Sequence, residues 1–373
     1  MIYLYSENSW LPENGLIIFN KPIYQIKIYK RVKNLDNFLL LLQKFIKKNK
    51  LYAVSFFSYD LKEEIFGIKK LKKDIIKIPK IYINFYKNYE IIQDLEKTGK
   101  NIIKNIEYQT TKEDFIKKVE KAKKYIENGD IYQINLTHRI KIDGYFDKLY
   151  TFKNLLNIQK TPYLILIKDK DFSIISGSME LFLKKENNKI TTEPIKGTIK
   201  RGKNKEEDIY LENLLKNSQK ERAENLMITD LMRNDLGRIA NNIKVKELFK
   251  ITKYNSLFQM SSVVEGDLKK DITLKDIIYS TFPPGSVTGA PKFRAMQIID
   301  ELEDYKRHIY CGAIFLIRPN LDFVMSVAIR QIIFQNKNAY IYVGSGIVAD
   351  SNPEKEYEET LIKAKANLES LLL

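Results

Sequence analysis

Strand-like segments in this chain follow one another through tight turns, and only rarely does a helical stretch separate two of them. That order restricts the fold, because parallel neighbours need a crossover of a dozen or more residues whereas antiparallel neighbours need only a turn. Residues 1–106 are strand-like, rich in Tyr, Ile and Lys and poor in Gly, and Tyr52 to Leu61 reads as a strand running into a turn. Ile131 to Leu136 opens a series of alternating strands through about Leu183. There, Glu186-Asn187-Asn188-Lys189 is the turn of a hairpin joining Phe182-Leu183 to Ile190-Thr191-Thr192. Strands near 309–317, 323–333 and 339–348 complete the set. The firmest helix has Thr111 as N-cap, Phe115, Val119, Ala122 and Ile126 on one face, and Gly129 at its end. Others run from Ser218 to Gly237, from about Thr273, from Pro291 to Glu303, and from Pro353, a favourable first helical residue, to the last residues. Hairpins outnumber any βαβ rhythm, so the pattern predicts an α+β fold with large antiparallel sheets.

With 373 residues and 44% hydrophobic content, the chain can form one large domain or two closely packed ones, and no linker, repeat or low-complexity stretch divides it. Its most apolar run, Phe38 to Leu42, stops at Gln43, far short of the ~18 residues of a membrane span. No basic segment precedes an apolar one at the N-terminus, and the single cysteine, Cys311, suits a reducing compartment, so a cytoplasmic protein is expected. The only histidines, His138 and His308, exclude His-rich metal sites and leave acid–base chemistry to Glu, Asp, Lys or Tyr. Lys+Arg 63 against Asp+Glu 47 gives a net charge of +16. The lysines are spread along the chain, dense in Lys44–Lys50 and Lys69–Lys80 and mixed with acids, which reads as a solvated surface rather than a nucleic-acid interface. Arginine is scarce beside lysine, so Arg201, Arg222, Arg233, Arg238, Arg294, Arg307 and Arg330 are candidates for planar recognition of a carboxylate.

Four constellations carry chemistry. Glu221 and Glu224 share a helical face with Ile228 and Leu231, and Glu356 and Glu359 are likewise three apart, followed four later by Lys363. Each pair has a structural reading, Glu221 as the capping-box partner of Ser218 and Glu356 as a helix-dipole residue. Glu224 and Glu359 lie beyond the caps, and carboxylates meeting between two helices would need a hard cation such as Mg²⁺. Lys196, in Pro194-Ile195-Lys196-Gly197-Thr198, is either an exposed turn lysine or an amine activated by burial and a nearby cation as a nucleophile. The loop from Phe282 to Lys292 has backbone N–H groups free to cradle an anion at a helix start. Gly344 and Gly346 allow close backbone approach to a ligand, with Arg330 on the preceding strand as a carboxylate clamp.

Together these segments resemble the chorismate-utilising enzymes, and within them the large component of aminodeoxychorismate synthase. The carrying strings are Gly129-Asp130-Ile131-Tyr132-Gln133-Ile134-Asn135-Leu136, Pro194 to Thr198, Arg222 to Arg238, Ser286 to Lys292, Arg307 to Ala313 and Gly344 to Glu359, with a weaker match at Ser58-Tyr59-Asp60-Leu61. The resemblance implies a four-layer α/β/β/α sandwich of two large, mainly antiparallel, orthogonally packed sheets, with residues 1–106 as its N-terminal part and 107–373 as the chorismate-binding catalytic region. It implies Mg²⁺-dependent amination of chorismate to 4-amino-4-deoxychorismate, a transferase step toward p-aminobenzoate and folate. Lys196 is implied as the nucleophile, since anthranilate synthases typically carry a small residue there, and Glu180 as its acid–base partner. Glu224 and Glu359 are implied as direct metal ligands, Glu221 and Glu356 as ligands through water. Tyr310, Arg330, Lys363, Gly344, Gly346 and Ser286 are implied to contact substrate. The implied partners are a glutamine amidotransferase subunit supplying ammonia, because Cys311 lies in no glutaminase-like motif, and a separate aminodeoxychorismate lyase, which the chain has no room to carry after its last helix. Neither nucleic acid nor membrane is an expected partner. Anthranilate synthase component I is the alternative, and a non-enzymatic basic protein keeping the fold a distant one. The chain departs from the family's pattern at Met179, at Leu181, and at Gln259, where many relatives have histidine.

Overall fold

The computed structural model describes residues 1–68, 74–95, 98–254 and 257–373; part of the lysine-dense Lys69–Lys80 stretch therefore lies outside the described residues. Among the described residues two ten-stranded sheets form, and every pairing is antiparallel. The first sheet runs in the order Gly289–Ala290, Gln133–Tyr145, Asn338–Ile347, Gln331–Gln335, Ser173–Ser178, Tyr163–Lys168, Ile2–Ser6, Gly15–Phe19, Glu90–Ile92, with Ile102–Tyr108 also on Gln133–Tyr145. The second runs Ile195–Lys200, Leu257–Leu268, Lys189–Glu193, Leu181–Glu186, Phe323–Val327, Ala313–Ile317, Tyr52–Phe57, Ile81–Tyr86, Tyr24–Ile28, with Ala240–Lys253 also on Leu257–Leu268. The expected α+β class with large antiparallel sheets is what forms.

Alternation along the strands builds the layers. Ile2, Leu4, Ile17 and Phe19 point into the core between the sheets, whereas Tyr3, Tyr5 and Ile18 face the other way, onto helices Lys148–Ile158 and Pro353–Leu372. Helix Gln219–Gly237 lies on the second sheet, and Phe45 of helix Leu35–Asn49 packs edge-on against Phe85 of that sheet. A third cluster joins Phe115, Val119 and Ala122 of helix Lys112–Glu127 to Ile298 and Ile299 of helix Lys292–Leu302.

Local signals set the helix starts. Thr111 accepts from the Asp114 N–H, Ser218 from the Glu221 N–H, and Thr273 forms a complete capping box with Asp276. The Asn187-Asn188 hairpin forms as expected, with Glu186 opposite Lys189 and Asn187 at φ 53°. Besides the short helix Lys62–Phe66, three longer helices depart from the expected order. Leu35–Asn49 sits in the stretch read as strand-like, the helical spacing of its Leu35, Leu39, Leu42 and Ile46 masked by the continuous apolar run Phe38–Leu42 between them. Lys148–Ile158, capped by Asp147, interrupts the alternating strands before Leu183, and Lys205–Asn217 precedes the helix from Ser218. The expected strand at 323–333 is two strands in different sheets, Phe323–Val327 and Gln331–Gln335. The segment from 309 joins its strand only at Ala313.

Phe315, fully buried on the helix-covered face of the second sheet with its ring centroid 4.6 Å from that of Phe57, should report on the packing of that layer. Phe315→Ala is expected to cost about 3–5 kcal/mol in urea unfolding, and Leu41→Ala, at an exposed helix position, less than about 0.5 kcal/mol.

Candidate active site

Two segments cross from one sheet to the other side by side. Met179-Glu180 connects Ser173–Ser178 of the first sheet to Leu181–Glu186 of the second, and Ala328-Ile329-Arg330 returns from Phe323–Val327 to Gln331–Gln335. Backbone bonds tie the crossovers together, the Val327 N–H donating to the Glu180 carbonyl at 3.0 Å and the Gly177 N–H to the Arg330 carbonyl at 2.9 Å. Arg330 therefore does not lie on a strand, as the sequence suggested, but at φ 51° in the bend. A cavity of about 590 Å³ opens at this seam, within the range of small-molecule sites.

Every residue given a role from the sequence lines this one cavity: Lys196, Glu180, Glu221, Glu224, Glu356, Glu359, Arg330, Tyr310, Gly344, Gly346, Lys363 and Ser286. Lys196 projects from strand Ile195–Lys200 where its pairing with Leu257–Leu268 slips between Ile195 and Thr198. Its Nζ stands so close to Gly346 that a Cβ there would come within 2.8 Å of it, and a Cβ on Gly344 would meet the Leu136 carbonyl at 2.6 Å. At Gly344 the strand backbone leaves room for glycine alone, whereas a side chain at Gly346 would have to displace the Lys196 amine. Burial pushes the Glu180 carboxyl up from 4.5 to about 7, against the opposing Ser286 hydroxyl bond and the Lys196 charge. Such a group changes protonation near neutrality, as a general acid–base requires. Lys363 donates to the Gly344 carbonyl at 3.0 Å and pairs with Glu359 at 2.5 Å, while Arg330 donates to the Lys363 carbonyl at 3.0 Å. Tyr310 stacks on Tyr342 at 5.6 Å.

The four metal-candidate carboxylates come from helices Gln219–Gly237 and Pro353–Leu372, but not all from buried faces. Glu356 is buried, Glu221 and Glu224 are half-buried, and Glu359 is exposed at the mouth. Ser218 caps its helix through the Glu221 N–H, which leaves the Glu221 carboxylate free to line the cavity. Burial and the neighbouring Glu224 raise the Glu221 carboxyl, and burial and Glu359 raise Glu356 against the bond from Ser351. Desolvation would raise Glu359 too, but the charge and bond of Lys363 outweigh it and hold it low. Among the described residues no three acidic, histidine or cysteine side chains stand close enough together to form a ready metal cluster. The donor chemistry nevertheless suits a hard cation, since oxygen ligands alone are present and two carboxyls are raised by burial and like charge.

Of the seven candidate arginines only Arg330 is among the lining residues. Arg201 forks onto Asp208, Arg222 lies over Phe249, Arg233 meets Asp230, Arg294 meets Asp130, Arg307 meets Glu303, and Arg238 ends helix Gln219–Gly237. Cys311 lies in a turn at φ 65° rather than in a strand; it is fully buried, and burial pushes its thiol up to about 12, which makes it a poor nucleophile. Asn135, Tyr342 and Gln259 line the cavity without having been singled out as contacts. A signal existed for Tyr342, which shares a strand face with Gly344 and Gly346 at a period of two. The Gln259 Oε1 is buried with no hydrogen-bond partner among the described residues.

A model of the chorismate binding enzymes matches residues 29–369. The chain is 37% identical over 272 residues to anthranilate synthase component 1 of Aquifex aeolicus, covering 72% of this chain and 55% of that protein. It is also 37% identical over 265 residues to aminodeoxychorismate synthase component 1 of Bacillus subtilis, covering 70% and 54%. The chain thus spans little more than half the length of these curated relatives. Anthranilate synthase component I from Streptococcus pneumoniae superimposes with a TM-score of 0.84 at 28% identity, over 94% of this chain and 91% of that one.

The raised Glu180 carboxyl has a cost in folding. Its ionised form is disfavoured in the folded state, so wild-type stability is lost as pH rises from about 4.5 through about 7. Glu180→Gln should therefore be more stable than wild type by about 3 kcal/mol at pH 8, with most of the difference gone at pH 5, read from urea midpoints.

Proposed function

The chain belongs to the family of chorismate binding enzymes, and on that premise we propose that it is the large component of an aminodeoxychorismate synthase, converting chorismate and ammonia to 4-amino-4-deoxychorismate and water. The observation that carries this reading is Lys196, an amine standing against the Gly346 backbone in the same cavity as Glu180. A small side chain at that position, as anthranilate synthases typically carry, would offer no nucleophile.

Arg330, Tyr310 and Lys363 bind and orient the substrate's carboxylates over this wall. Lys196 Nζ forms a bond to ring C2 as the C4–oxygen bond breaks, and Glu180 protonates the departing hydroxyl, which leaves as water. Ammonia then bonds to C4 while the C2–Lys196 bond breaks, and Glu180 takes the surplus proton from the new amine. Glu224 and Glu359, with Glu221 and Glu356 through water, would hold the Mg²⁺ this reading calls for, which would neutralise charge on the substrate. Ammonia comes from glutamine by way of a separate amidotransferase subunit, a reading supported by the "component 1" names of the relatives and by the inert Cys311. A separate lyase then converts the product to p-aminobenzoate for folate, in the cytoplasm; among the described residues no helix is long and apolar enough to cross a membrane.

The second reading is anthranilate synthesis, favoured by the Aquifex relative, which is as similar as the Bacillus one. Incubation with chorismate, Mg²⁺ and ammonium separates the two: p-aminobenzoate after addition of a lyase supports the proposal, and anthranilate overturns it. EDTA should abolish turnover and Mg²⁺ restore it, and glutamine should replace ammonium only when an amidotransferase subunit is added. Lys196→Ala should lose most 4-amination, and digestion of wild type caught in turnover should place a chorismate-derived mass on the Lys196 peptide. Glu180→Gln should lower kcat by about 10²–10⁴-fold.

A further inference from the structure

We infer that Arg307 is a positioning residue for this reaction: its guanidinium holds the Ser286 loop against strand Gln133–Tyr145 in the arrangement that lets the Ser286 hydroxyl reach the Glu180 carboxylate. The inference rests on the acid–base role proposed for Glu180, and it accounts for two motifs that the cavity itself leaves unused, Arg307 and Ser58-Tyr59-Asp60-Leu61.

The Arg307 side chain is 2% exposed and uses each nitrogen. Nη1 donates to the Val287 carbonyl at 3.0 Å, next to Ser286, and Nη2 to the Asn135 carbonyl at 2.5 Å. Nε and Nη2 also fork onto Glu303 at 3.0 and 2.6 Å, and the Glu303 Oε1 accepts the Thr137 N–H at 2.9 Å. One ion pair thereby joins three segments that each present a cavity residue: the loop with Ser286, the strand with Asn135, and the turn in which the Tyr310 N–H donates to the Arg307 carbonyl at 2.9 Å. Tyr59 closes the open face of the guanidinium, with its ring centroid 4.8 Å away, and is itself fixed by its N–H bond to the His308 carbonyl at 2.8 Å. Only a planar group with several fixed donors can satisfy two carbonyls and a carboxylate at once; a lysine keeps the charge opposite Glu303 but loses the fork.

The link to chemistry runs through Ser286, whose bond favours the ionised form of Glu180. The other charged or titratable groups facing Glu180 are Lys196 from strand Ile195–Lys200, Lys363 from helix Pro353–Leu372 and Cys311 from the turn before Ala313, with Arg330 bonded across the crossover. Arg307→Lys leaves Lys196, Lys363 and Arg330 in place, and the Cys311 thiol, whose bond to Arg307 it alters, is raised to about 12 by burial and stays neutral throughout, so a shift in Glu180 reports the loss of Ser286 alignment.

The test is carboxyl ¹³C NMR of the whole chain labelled at glutamate, taking as Glu180 the resonance that Glu180→Gln removes. In wild type it should titrate near pH 7. In Arg307→Lys and in Ser286→Ala it should move upward by about one pH unit, the equivalent of one bond to a charged group, and the double variant should move no further than either. The kcat–pH profile of chorismate amination should follow the same shift, while KM changes little. An unshifted resonance in Arg307→Lys, or shifts that add in the double variant, overturns the inference. Should Arg307→Lys fail to fold, the double variant Arg307→Gln/Glu303→Gln, which removes the buried ion pair as a whole and keeps an acceptor for the Thr137 N–H, carries the test, and an unshifted resonance there has the same force. A resonance that shifts in Arg307→Lys in a protein that does not aminate chorismate would sink the proposed function and leave the alignment of Glu180 by Arg307 standing; turnover with an unshifted resonance in the variant would do the reverse.

Discussion

Two backbone hydrogen bonds, Val327 N–H to Glu180 carbonyl and Gly177 N–H to Arg330 carbonyl, hold together the place where the chain passes twice between its sheets. A strand that changes sheet must leave its ladder, and its freed polar groups need other partners. Here each crossover supplies the other's partner, so the two bends satisfy one another. Because they run side by side, a carboxylate and a guanidinium distant in sequence arrive at one cavity wall. The two helices bearing carboxylates flank the same seam, one from each sheet's outer layer, which is why the cavity collects groups from both halves of the sandwich.

Burial around that seam is used in two opposite ways. Away from the cavity, buried charges are matched. Burial alone would raise Asp74, but the bond and charge of His308 and the charge of Arg139, itself 2% exposed, hold its carboxyl well below the ordinary range. Asp74, Arg139 and the Tyr342 hydroxyl form a continuous network behind the Tyr342–Tyr310 stack, giving the cavity a stiff rear wall. Inside the cavity, buried Glu180 and Glu356 and half-buried Glu221 carry raised carboxyls with incomplete compensation. Strain of this kind is tolerated where a ligand or a reaction removes it, and the surrounding apolar core is extensive enough to carry it.

The arginines illustrate why residue type alone is a weak guide. Arginine's scarcity pointed to second-half positions for carboxylate recognition, yet most of those guanidiniums fork onto acidic side chains or lie over rings, and Arg139, in the first half, is among the most buried of all. A guanidinium satisfies a protein carboxylate with the same geometry as a ligand's, so only the surroundings tell which it holds.

The sequence by itself determined the helix caps at Thr111, Ser218 and Thr273, the Asn187-Asn188 turn and the antiparallel character of the sheets, because these depend on local hydrogen bonding or on alternation, while the resemblance its motifs carry pointed to twelve of the cavity's lining residues and not to Tyr342. Helix Leu35–Asn49 was missed because a continuous apolar run suits a buried strand and a helix equally, and only the sheet beneath it chooses. Tertiary structure alone decided that residues 323–333 divide between two sheets, that Arg330 turns at positive φ, that Glu359 stands at the mouth rather than within, and that Arg307 faces backbone carbonyls instead of the cavity. These are set by how separate segments pack together or by the path between two sheets, and a side chain's spacing along the chain carries no record of either.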